Sequence, residues 1–114
     1  MKREVLYSPA AVRDLERVRN DVLEASGLGE TASKYVGDLM DRVEAKADYP
    51  ESGAPLYYEN SFTGYRFVVF KEYIAFYRTQ DGRIFVDRVL YRASDYMRKL
   101  GPPSGPEDPE DGKE

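Results

Sequence analysis

Apolar residues recur at two different periods along the chain, and the change of period divides it. Val12, Leu15, Val18, Val22 and Ala25 follow one another at spacings of three and four, the repeat of one helix face. Ser8-Pro9 stands just ahead, a capping hydroxyl before a residue suited to the first helical position, so a helix is predicted over about 10–26. Gly27-Leu28-Gly29 stops it, and Thr31 is the expected cap of a second helix carrying Ala32, Tyr35, Val36, Leu39, Met40, Val43 and Ala47 on one face. That helix should end near Tyr49-Pro50, because the residue before a proline is pushed out of the helical region. So short a connection predicts an antiparallel helical hairpin. Ahead of it, Arg3 to Tyr7 reads as a short strand.

From Glu51 to Gly64 the chain is rich in Gly, Pro, Ser and Asn and reads as a loop. The period then falls to two in YRFVVF, YIAFYR and RIFVDRVLY, three strands of β-branched and aromatic residues. Asp81-Gly82 separates the last two as a type I′ turn, which predicts Arg78 opposite Phe85 and Phe76 opposite Asp87. At Phe70-Lys71-Glu72, loops of two and of three residues put Arg66 on opposite faces relative to Phe76 and Arg78. We favour three, which gathers the three residues on one face. Ser94 to Leu100 reads as a terminal helix capped by Ser94. The order β-α-α-β-β-β-α predicts an α+β domain, with the helical hairpin on one face of an antiparallel sheet.

At 114 residues and 41% hydrophobic, the chain holds one domain, expected over 1–100. The remainder, 101–114, is an acidic segment with four prolines and three glycines and is expected to be disordered. It carries five acids and one lysine, which accounts for the whole net charge of −4 and leaves residues 1–100 neutral at 16 basic and 16 acidic side chains. Residues 61–100 alone hold eight basic and four acidic groups, most of the basic ones arginine, a balance that suits a phosphate-bearing or acidic partner. With neither cysteine nor histidine there is no thiolate nucleophile, no imidazole base and no zinc ribbon. Glu51, Glu59, Asp81 and Asp87 lack ligand spacing, so neither a metal site nor a cofactor is expected. No apolar run of membrane-spanning or signal-peptide length occurs, and the expected location is cytoplasmic.

Six short motifs occur in order: S-P-A-A-V-R-D-L at 8–15, Y-P-E-S-G-A-P-L at 49–56, G-Y-R at 64–66, Y-I-A-F-Y-R at 73–78, D-G-R-I-F-V-D-R-V-L at 81–90 and R-A-S-D-Y at 92–96. Together they resemble the RelE/ParE superfamily of bacterial toxins from type II toxin-antitoxin modules. The resemblance implies a growth-arresting toxin of the plasmid-stabilisation kind, neutralised by a cognate antitoxin in a toxin-antitoxin hetero-oligomer. RelE-like members cut mRNA on the ribosome with basic residues on the sheet and a late aromatic or basic residue, whereas ParE-like members poison DNA gyrase. Placed on the RelE pattern, Arg66 falls where a strand lysine is expected and Arg92 matches the late arginine. Val68 and Ile74, however, stand where a second lysine and an arginine are expected. The final tyrosine position falls near Met97 or Arg98, and Tyr96 meets it only with a shift of register. The P-E-S-G-A-P-L loop, the Y-I-A-F-Y-R strand and R-V-L followed by Tyr91 resemble the ParE side more closely.

Two functional readings follow. As a gyrase inhibitor, the chain would engage its target through Arg66, Arg78, Arg92 and Arg98. As a ribosome-dependent endoribonuclease, it would hold the phosphate with Arg66 and Arg92 and move protons with Tyr91 or Tyr96. An inactive toxin retained as a regulator is a third. Plainer roles compete with these. Arg66 and Arg78 can serve as partners of strand carboxylates, Arg78 lying diagonal to Asp87, while Arg92 and Arg98 suit a helix end. Tyr35, Tyr65, Tyr73 and Tyr77 suit core or edge positions. On the sheet face away from the helices, Ile74, Phe76 and Val89 are expected to form an exposed apolar patch that the antitoxin buries.

Overall fold

The structure is a computed structural model and describes residues 4–100. The acidic segment 101–114 lies outside the described residues. Strand β1 is Val5–Tyr7, and helix α1, Pro9–Ser26, follows at once. The Ser8 hydroxyl accepts the Ala11 N–H at 2.9 Å at one end, and Gly27, at φ 74°, closes the other by donating its N–H to the Leu23 carbonyl. The buried face of α1 is Ala11, Asp14, Leu15 and Val18, whereas Val12 is exposed. Helix α2, Gly29–Glu44, starts two residues before the expected Thr31 cap. Leu28 takes the cap position without a side-chain bond, and its own N–H goes to the Ser26 hydroxyl at 3.1 Å. Two short 3₁₀ turns, Ala45–Asp48 and Pro50–Ser52, carry the chain across the Tyr49-Pro50 break.

The region expected to be a loop contains a strand. Strand β2, Ala54–Tyr58, pairs antiparallel with β3, Ser61–Phe70, across Glu59-Asn60, whose φ values of 52° and 70° have the signs of a type I′ turn. Only Leu56 of β2 is buried, so the strand shows no apolar alternation, and its edge position tolerates Pro55. Strands β4, Tyr73–Gln80, and β5, Arg83–Tyr91, join through Asp81-Gly82, both at positive φ as expected, and the short helix α3 is Tyr96–Leu100. Helix α3 begins after Ser94, whose hydroxyl donates to the Tyr91 carbonyl at 2.6 Å and so closes a turn in place of the expected cap.

The sheet has five strands in the order β1-β5-β4-β3-β2 and is mixed, since β1 runs parallel to β5 while every other pair is antiparallel. Arg78 lies opposite Phe85 as predicted, but a bulge between Phe76 and Tyr77 sets Phe76 opposite Arg88 and leaves Asp87 as the extra residue. The β3–β4 turn has two residues. Phe70 pairs with Tyr73 and Arg66 with Tyr77, so Arg66 shares the helix-facing side and is separated from Phe76 and Arg78 by the sheet itself. Core burial selects this register: it turns Val68, Phe70, Tyr73, Ala75 and Tyr77 together towards the helices.

Both faces of β4 are buried. Beneath the helices, Leu15, Val18, Leu39 and Val43 pack on Tyr77, Ile84 and Val86. On the other face, Leu56, Ile74, Phe76 and Leu90 form a second core, covered by Tyr96, Met97 and Leu100 of α3. The expected exposed patch therefore does not form: Ile74 is 6% exposed and Phe76 0%, and Val89 belongs to the helix-side core.

Candidate target-binding edge

Where β5 leaves the shelter of β1, its outer edge is closed by a carboxylate. Asp14 of α1, 1% exposed, accepts the Val89 N–H at 2.9 Å. It also takes Arg88 Nε and Nη2 at 2.7 and 3.0 Å, and Arg17 at 2.9 Å. Burial opposes its charge, but the bonds from Arg88, Val89 and Arg17 outweigh that and hold its carboxyl below the usual range. An acid on the apolar face of α1, between Ala11 and Leu15, is the sequence signal of this contact.

Past this anchor the chain emerges as Tyr91 and Arg92, both exposed. Arg92 is tied to the β3–β4 turn: its backbone N–H donates to the Glu72 carbonyl at 2.8 Å and its guanidinium to the Lys71 carbonyl at 3.0 Å. Four aromatic rings line this end of the sheet. Tyr73 lies edge-on between Tyr35 and Tyr91, with centroids 6.1 and 5.7 Å away, and Tyr35 meets Phe70 at 5.3 Å. Lys71 and Arg42 sit over the Phe70 ring at 5.6 and 5.5 Å. The Tyr73 hydroxyl donates to Asp21 at 3.2 Å, and burial, with the Asp21 charge, pushes its pKa up to about 12. Burial likewise raises Tyr35, Tyr65 and Tyr77, so none of these phenols is tuned to take a proton near neutral pH.

The other candidates do not converge here. Arg66 donates to the Gly53 carbonyl at 3.1 Å and lies over the Phe62 ring, beside Tyr77. Tyr77 and the Tyr73–Tyr91 pair are four residues apart along β4, about 13 Å at the usual rise per strand residue. The Arg66 and Arg92 guanidiniums are thus tied to different carbonyls, those of Gly53 and Lys71, towards opposite ends of β4, and do not converge. Arg78, on the opposite face, makes a forked pair with Asp87, Nε to Oδ2 at 2.6 Å and Nη2 to Oδ1 at 3.3 Å. Arg98 projects from α3, its side chain 84% exposed beside Asp95. Tyr96 packs its ring on Phe76 at 5.2 Å, a core contact. Among the described residues, no group of three or more carboxylates is placed to hold a metal ion, and no helix is long and apolar enough to cross a membrane.

A sequence model of the ParE toxin of type II toxin-antitoxin systems matches residues 5–96. The chain belongs to this family. Among solved structures, the toxin is similar to one described as the chromosomal ParDE system of P. aeruginosa, at 21% identity and a TM-score of 0.66, over 79% of this chain and 96% of that one. It is also similar to a YoeB/ParE toxin from Agrobacterium tumefaciens, at 17% identity and a TM-score of 0.51, over 77% and 96% of the two chains. A RelBE2 toxin-antitoxin complex from Mycobacterium tuberculosis matches at 26% identity and a TM-score of 0.49, over 81% and 100%. No curated protein matches. The first two likenesses support the α+β toxin fold.

Two motifs of this toxin turn out to be partners in space. Tyr77 of Y-I-A-F-Y-R, fully buried, donates its hydroxyl to the Pro50 carbonyl at 2.7 Å and accepts the Gly53 N–H at 3.0 Å. A Cβ on Gly53 would collide with that hydroxyl, so the glycine of P-E-S-G-A-P-L is there for close approach. Val68 and Ile74, standing where the RelE pattern has cations, are each 6% exposed and belong to the two cores.

Proposed function

We propose that this toxin arrests growth in the cytoplasm by binding DNA gyrase through the Tyr91–Arg92 edge, and that a cognate antitoxin neutralises it as a hetero-oligomer. The separation of Arg66 from Arg92 carries the reading. Strand cleavage by a neighbouring 2′-hydroxyl needs cations, a base and an acid gathered around one phosphate. Here the two cations are held at different backbone carbonyls, Arg66 at Gly53 and Arg92 at Lys71, and two further cation positions hold core hydrocarbon. An edge of exposed Tyr91 and Arg92 beside a packed ring cluster suits instead a protein contact, where tyrosine and arginine supply most of the binding energy.

The test pairs two reactions. Purified toxin added to gyrase and relaxed plasmid is expected to block supercoiling, and Arg92→Ala to weaken the block roughly tenfold, the effect of one interface arginine. The same preparation in a bacterial translation reaction is expected to leave a defined mRNA intact by primer extension. RNA ends at the ribosomal A-site codon, with supercoiling unaffected, would replace this reading by a ribosome-dependent endoribonuclease.

A further inference from the structure

Between the C-terminal half of α1 and the ends of β4 and β5 lies an open groove of about 340 Å³. Val22 and Ala25 of α1 form its apolar wall, and Tyr35, Tyr73 and Tyr91 its aromatic one. Asp21 and Glu72 are its charged lining residues; no lysine or arginine is among them. Rings and carboxylates on one lining make the chemistry that receives a cation: the ring faces attract a desolvated guanidinium or ammonium and the carboxylates pair with it. These rings already behave this way within the chain, since Lys71 lies over Tyr35 at 5.7 Å. Tyr91, 48% exposed, leaves its ring open to a visitor.

We infer that this groove seats an arginine side chain of the antitoxin, with the guanidinium between the Tyr73 and Tyr91 rings and the Asp21 and Glu72 carboxylates. The choice of occupant rests on the reading of the chain as a toxin held by an antitoxin. It follows from continuity: Tyr91 walls the groove and begins the Tyr91–Arg92 edge, so a segment anchored here covers the surface it must silence. A flexible basic segment also suits an open groove, because one buried arginine fixes its register while the rest contributes coverage.

Two measurements test this, neither of which reads toxicity. In the first, the full chain is titrated with N-acetyl-arginine methylamide and with its uncharged citrulline counterpart while tyrosine ring resonances are followed by NMR. Saturable shifts at Tyr73 and Tyr91 are expected with the arginine compound alone. Glu72→Gln should weaken them roughly fivefold, the effect of one exposed charge. Asp81→Asn, in an acid-lined cleft at the opposite end of the sheet, should change nothing. In the second, release of the co-purified antitoxin is timed, and Glu72→Gln is expected to speed it while Asp81→Asn does not. Shifts that fail to saturate, or that citrulline reproduces, would overturn the groove as a cation seat. Arginine binding combined with unchanged antitoxin release would overturn the antitoxin as its occupant. A toxin that fails to inhibit gyrase would touch only the proposed function.

Discussion

Asp14 and Arg88, 74 residues apart in the chain, meet through two charge-assisted hydrogen bonds of 2.7 and 3.0 Å, and the same carboxylate caps the Val89 N–H. One buried acid thereby fixes α1 against the outer edge of β5, three residues before the exposed Tyr91. Replacing it should cost stability and loosen the edge. Asp14→Asn is expected to destabilise the fold by about 3 kcal/mol, because Arg88 is left partly buried without its counter-charge. Urea denaturation measures this, and a loss below about 1 kcal/mol would show the pair to be incidental.

The same carboxyl sets a pH dependence. Its folded-state pKa is lowered from 3.8, so the stabilisation it provides is complete above that value and fades as the pH falls through the lower folded one. Denaturation midpoints followed from pH 5 to 2 should therefore fall more steeply for the parent chain than for Asp14→Asn. Parallel curves would contradict the assignment.

Tyr73 works at the alkaline end. Burial raises it from 10.0 to about 12, so between those values the unfolded chain releases a proton that the folded one keeps. Stability should be full below pH 10 and decline towards pH 12. Tyr73→Phe should flatten that decline, as read by thermal unfolding across the same range.

Tyr77 and Gly53 join two distant motifs. Tyr77→Phe strands a buried N–H and leaves a part-buried carbonyl without its donor, which costs about 1–3 kcal/mol. Gly53→Ala should also destabilise, through the collision with the Tyr77 hydroxyl. If that clash is the cause, the Gly53→Ala penalty measured in a Tyr77→Phe background will be smaller than in the parent.

Tyr96 separates packing from chemistry. Its ring covers Phe76, so Tyr96→Ala should cost about 2 kcal/mol and expose the second core, whereas Tyr96→Phe should leave both stability and growth arrest intact. Loss of growth arrest in a stably folded Tyr96→Phe chain would return the hydroxyl to a chemical role. Truncation after Arg92 removes α3 altogether and is expected to yield insoluble protein, so a point variant at Arg92 is the cleaner probe of the edge.

What the sequence determined by itself is what short-range physics controls. The spacing of Leu15, Val18 and Val22, the Ser8-Pro9 start, the Gly27 stop and the Asp81-Gly82 turn each depend on neighbours within a few residues, and those elements stand as predicted. The tertiary structure decided register and cover. Nothing local distinguishes a two-residue from a three-residue turn at Lys71-Glu72, yet that choice carried Arg66 through the sheet, away from Phe76 and Arg78. Strand β2 has one buried residue, too few to show a period, and pairs only because β3 offers an edge. The patch expected from Ile74, Phe76 and Val89 failed for a similar reason. Alternation tells which side chains share a face, but whether α3 lies over that face is settled by contacts between segments about 20 residues apart.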